Sequence, residues 1–99
     1  MKRIDLLVTY DVDTSTKAGA RRLRRVAKVC ESFGQRVQYS VFACSVTRAQ
    51  LEEMEARLLD EMNLQKDSLH LYTLHGGLDR SRRSHGVDPY RDFDDPLIL

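Results

Sequence analysis

The stretch RVQYSVFACSV, residues 36–46, decides how the whole chain folds. It is rich in β-formers and alternates well, so periodicity alone makes it one long strand. It also fits a tight hairpin folded near Gln38 to Ser40, although no glycine or asparagine marks that turn. The two readings give different sheets, and the flanking segments must be read before either can be chosen.

Upstream, residues 4–11, IDLLVTYD, alternate as a strand, with Ile4, Leu6, Val8 and Tyr10 on one face. Leu7 on the other face suggests that this side is partly covered too. A polar, turn-like segment, DTSTKAG, leads to a helix expected over residues 17–33. There Leu23, Val26, Ala27 and Cys30 follow the spacing of a buried stripe, and Arg21, Arg25 and Lys28 form a second row outside it. Gly34 sits where a helix end favours a left-handed residue. Downstream, Thr47 offers an N-cap with Gln50 as its capping-box partner, opening a helix over residues 48–62. Its inner face carries Leu51, Met54, Leu58 and Met62, widened by Leu59. Residues 67–74, DSLHLYTL, form another strand, ended by Gly76 and Gly77. Residues 78–94 are polar and irregular, and an apolar DPLIL closes the chain as a candidate edge strand, in this subunit or a neighbour. With the middle segment as a hairpin, the order is βαββαβ: an α+β, ferredoxin-like domain over residues 1–78 with a tail over 79–99. Two helices then cover one sheet face, and a second subunit is the simplest cover for the other.

At 99 residues the chain suits one domain with a thin core, which makes a homodimer a sensible expectation. No apolar run approaches the ~20 residues of a membrane span, and MKRIDLL lacks a signal peptide's apolar stretch. A cytoplasmic protein without a membrane partner is expected. Cys30 and Cys44 lack metal-type or redox spacing, and with three scattered histidines they make no zinc pattern. Cys30 reads as core packing. The net charge is only +1, but it is segregated. KAGARRLRRVAK carries six cations and no acid, whereas QLEEMEARLLDEM carries five acids against Arg57. Such segregation permits an anionic partner on one side of the molecule. Arginine matches phosphate geometry, so Arg21, Arg22, Arg25 and Lys28, with Arg36, are candidate contacts to a nucleic-acid backbone. The acidic second helix should face away from it.

These segments together resemble one family, CRISPR-associated protein 2. TYDVDT resembles its first strand end, with Asp11 at the signature aspartate. KAGARRLRRVAKVCESFGQRVQYSVF resembles its first helix and following strands, DSLHLY its fourth strand, and DPLIL the terminal strand of some members. The resemblance implies the hairpin, a homodimer, and a tail strand that extends a sheet across it. It also implies metal-dependent nuclease activity on single-stranded RNA or double-stranded DNA. The partners it implies are the CRISPR-associated protein 1 integrase, bridged by the dimer, and prespacer DNA. One departure is visible: Ala43 stands where the family often has Glu.

The resemblance makes Asp11 the catalytic and metal-binding residue, with two copies facing each other across the dimer axis and sharing one Mg²⁺ or Mn²⁺. Magnesium prefers oxygen ligands and keeps several waters, so one Asp11 alone makes a poor site and two facing copies, with water and substrate completing the shell, a better one. Asp13 would support the site from behind Asp11, although DTST is also ordinary chemistry for starting a helix. Without the resemblance, Asp11 reads as a turn residue. Protons compete with metal for facing carboxylates, so binding is expected only under mildly alkaline conditions. With Ala43 in place of Glu the ligand set is sparse, so cleavage should be slow or conditional. His70, His75 and His85 read as strand or loop residues. Two alternatives stay open: a nucleic-acid-binding dimer with little or no catalysis, and a regulatory dimer for a small ligand, which no Gly-rich phosphate loop supports.

Overall fold

A computed structural model describes residues 2–87 of the chain. The expected terminal strand, DPLIL, lies outside the described residues, as does most of the 79–99 tail.

The elements run β1 (Ile4–Asp11), α1 (Lys17–Phe33), β2 (Gly34–Gln38), β3 (Val41–Val46), α2 (Arg48–Glu61), β4 (Ser68–Thr73) and a short α3 (Leu78–Ser81). The middle segment is a hairpin. Gln38 pairs with Val41, and a register shift between Arg36 and Gln38 lets the strands turn over Tyr39 and Ser40. Among the described residues no non-glycine residue has a positive φ, so this turn does without the Asn-Gly chemistry of the commonest hairpins. It is held from outside: the Tyr10 amide donates to the Ser40 carbonyl at 3.1 Å. A turn fixed by a third strand leaves no local sequence mark.

The four strands form one antiparallel sheet in the order β2-β3-β1-β4, the ferredoxin-like arrangement. Leu6, Val8 and Tyr10 of β1 and Phe42, Cys44 and Val46 of β3 meet Val26, Val29 and Cys30 of α1 and Met54 and Leu58 of α2. Each large apolar side chain buried here contributes about 1.5–3 kcal/mol. Thr16 caps α1 by accepting from the Gly19 amide, and the expected Thr47–Gln50 capping box starts α2.

Four expectations change. Val29 is buried on α1, and Ala27 is only half-buried at the edge of the stripe. Leu59 is 44% exposed, outside the inner face of α2. Gly34 has φ −164°, extended rather than left-handed, and begins β2. Its glycine character answers a close approach instead: a Cβ there would collide with the Ala43 carbonyl and Cys44 Sγ. Finally, residues 78–81 form a helical turn within the stretch expected to be irregular.

The face opposite the helices carries Asp5, Leu7, Thr9 and Asp11 of β1, Val41, Ala43 and Ser45 of β3, and His70 and Tyr72 of β4. The chain itself covers part of this face. Leu78, Arg82, Arg83 and His85 line a groove together with Leu7, Val37 and Val41. Among the described residues no helix is long and apolar enough to cross a membrane.

Candidate metal and nucleic-acid site

Asp11 is the last residue of β1 and pairs with Ser68, the first residue of β4. Tyr10 points into the core, so Asp11 points to the open face, where it is exposed. Its carboxylate accepts no hydrogen bond and joins no ion pair among the described residues. No group of three potential metal-ligating side chains occurs among the described residues. One protomer therefore offers Mg²⁺ a single carboxylate. That fits an ion held by one or two carboxylates with water and phosphate oxygens completing the shell.

Ala43 lies directly opposite Leu7 on the same face, four residues along β1 from Asp11. At about 3.3 Å per residue that is about 13 Å, so a glutamate at this position would not share an ion with Asp11 of its own chain.

Asp13 serves the start of the helix. Its Oδ1 accepts from the Ser15 amide at 2.9 Å, and this bond holds its carboxyl below the usual carboxylate range. Behind it lies a residue the sequence reading missed, Asp67, whose side chain is fully buried. Asp67 accepts from the Asp13 amide (3.0 Å), the Asn63 amide (2.9 Å) and Arg22 Nε (2.9 Å) and Nη2 (3.3 Å). Burial pushes its carboxyl upward, but the bonds from Arg22, Asn63 and Asp13 outweigh burial and hold it lowered. Arg22, a candidate phosphate contact by its sequence position, instead has its guanidinium committed to Asp67 and to the Asp13 carbonyl. A lone aspartate before a strand carries no sequence signal of this role.

The other cations do gather. Arg21, Arg24, Arg25 and Lys28 of α1 and Arg36 of β2 line one shallow concavity, with Glu31 among them. Arg24 joins the expected cations, and the spacing Arg21, Arg24, Arg25, Lys28 is itself one helical face. Arg25 stands 3.9 Å from Glu61 and Arg36 3.9 Å from Glu31, loose pairs on partly exposed side chains that compete weakly with a phosphate. Arg36 also lies over the Phe42 ring, 5.1 Å from its centre, which fixes it on the helix side of the sheet. The cluster and Asp11 thus lie on opposite sides of the sheet, and a single protomer does not bring them together.

Both cysteines are buried. Burial pushes the Cys30 thiol up to about 12 and the Cys44 thiol up to about 11. His70 Nδ1 lies 3.0 Å from the Tyr72 hydroxyl on the open face, and His75 and His85 are exposed.

An antiparallel four-stranded sheet in the order β2-β3-β1-β4 with two helices on one face defines the class of small ferredoxin-like α+β proteins. The chain belongs to a particular family of that class, CRISPR associated protein Cas2, whose model matches residues 4–81. It is 50% identical to the CRISPR-associated endoribonuclease Cas2 1 of Moorella thermoacetica, over 95% of this chain and 98% of the relative. It is 44% identical to the CRISPR-associated endonuclease Cas2 of Halalkalibacterium halodurans, with the same shares covered. Its fold matches the crystal structure of Streptococcus pyogenes Cas2 at pH 6.5 with a TM-score of 0.76 and 46% identity, covering 83% of this chain and 99% of that one.

Proposed function

We propose that the chain is a homodimeric adaptor of CRISPR spacer acquisition, which holds prespacer DNA and bridges subunits of the CRISPR-associated protein 1 integrase. The observation that carries this reading is the gathering of Arg21, Arg24, Arg25, Lys28 and Arg36 around one concavity, where Glu31 and the loosely paired Glu61 are the acids at hand. Guanidinium groups bond phosphate oxygens in parallel pairs and ignore base identity, which suits a protein that must accept arbitrary invading DNA.

A second activity, metal-dependent phosphodiester cleavage, is supported by the unengaged Asp11 carboxylate and by relatives named endoribonuclease and endonuclease. Two Asp11 residues across a dimer axis would hold one Mg²⁺ or Mn²⁺. When bound, such an ion polarises phosphate and orients hydroxide. The chain's own contribution is the ligand oxygens and the strand end that aims them. Because the cations lie across the sheet from Asp11, duplex held by α1 is not thereby presented to the same protomer's carboxylate. Holding is therefore the main task and cleavage the lesser one.

The Asp11→Asn variant separates the two. Spacer integration with the integrase should persist, while cleavage of single-stranded RNA and of duplex DNA should fall at least a hundredfold. Loss of both activities with an intact dimer would make the metal central and the adaptor reading insufficient.

A further inference from the structure

We infer that Asp67, acting with Arg22, is a positioning residue that fixes the Asp11 end of β1. A fully buried carboxylate is a costly feature, and a buried ion pair often stabilises no better than apolar packing of the same shape. Its location is what distinguishes it. Asp67 immediately precedes Ser68, the cross-strand partner of Asp11. Its Oδ1 also holds the amide of Asp13, two residues beyond Asp11 on the same strand exit.

Asp11 is therefore flanked by one residue on two sides: Asp67 precedes its cross-strand partner in the chain, and the Asp67 side chain holds the amide of Asp13. Arg22 completes the bracket, donating to Asp67 through Nε and Nη2 and to the Asp13 carbonyl at 3.4 Å. Gly19 lets α1 come this close, because a Cβ there would collide with the same Asp13 carbonyl. The Asn63 amide ties the bracket to the connection after α2. The β1 exit, the first turns of α1 and the distant connection before β4 thus meet where β1 ends, and the direction in which Asp11 leaves the sheet is set by them.

The consequence rests on the reading of Asp11 as a metal ligand. Oxygens sharing Mg²⁺ must sit at about 2.1 Å from it, so two strand ends that wander cannot hold it well. Partners that orient a ligand without touching the ion typically change affinity 10–100-fold when removed.

The test uses Asp67→Asn in the full chain, with Arg22→Gln as a second variant that leaves both backbone donors of Asp67 in place. Val46→Ala, at the far end of the sheet opposite Ile4, is a control for lost stability alone. All are compared at a temperature where each is folded. In the Asp67 and Arg22 variants, amide exchange at Asp13 should quicken at least tenfold and calorimetric Mn²⁺ binding should weaken about tenfold. Val46→Ala should change neither. Unchanged exchange in both bracket variants, or equal weakening in Val46→Ala, would overturn the inference. Should wild type bind Mn²⁺ no better than Asp11→Asn, the metal reading fails on its own. The exchange at Asp13 then decides the positioning, and retained protection in the variants overturns it.

Discussion

Arg22 and Arg21 are neighbours in sequence and differ entirely in what they do. Arg21 faces solvent among other cations, while Arg22 spends its guanidinium on a buried carboxylate. Truncating Arg22 to alanine leaves Asp67 with two backbone donors and should destabilise the fold by about 2–3 kcal/mol in urea titrations at neutral pH. The sign of the pH dependence follows from the lowered carboxyl of Asp67. Its contribution is complete above the unfolded aspartate value of about 3.9 and is lost as pH falls through the lower folded value. The stability gap between wild type and Arg22→Ala should therefore close as pH falls from about 6 to about 2.5; a gap that widens in acid would contradict the assignment. Asp11 stood out in the sequence only through the family resemblance, since an acid ending a strand by itself reads as a turn residue. Asp67 was not, since nothing local tells a buried acceptor of four hydrogen bonds from an ordinary loop acid.

Among the elements, β1, α1, α2 and β4 declare themselves through their own periodicity, and their observed bounds differ from expectation by a residue at most. The β2–β3 hairpin does not. Its turn is set by Tyr10 of another strand, and a sequence window contains no information about a contact 30 residues away. Gly34 shows the same limit. A glycine after a helix suggests a left-handed cap, but here it makes room for Ala43 and Cys44 at the start of a strand. Gly34→Ala should therefore destabilise by about 1–3 kcal/mol through overpacking against backbone. A neutral or stabilising result in thermal unfolding would return the position to the conformational explanation.

At the scale of the whole molecule, the sheet separates two chemistries. Cations of α1 and β2 occupy the helix side, and Asp11 occupies the open side, where a second copy would bring a second carboxylate. Protons and metal compete for two facing carboxylates, so Mn²⁺ binding by the dimer should be weak near pH 5.5 and appreciable near pH 8.5. Equal affinity at the two pH values, by calorimetry, would contradict a paired site. The charge segregation along the chain lies between α1 and α2, and both helices pack on the same face of the sheet, where Arg25 stands 3.9 Å from Glu61. The side on which Asp11 falls was not legible from it, because that depends on the strand alternation that turns Tyr10 inward and Asp11 outward.

The most direct test of the account is the salt dependence of duplex binding. Fluorescence anisotropy of a duplex of arbitrary sequence should show affinity falling steeply with salt for the wild type. Arg21→Ala, Arg24→Ala and Lys28→Ala combined should make the slope of log K against log salt shallower by about 0.9 for each phosphate contact removed, without changing the fold. A flat salt response in the wild type, or an unchanged slope in the triple variant, would contradict the claim that the α1–β2 concavity holds nucleic acid.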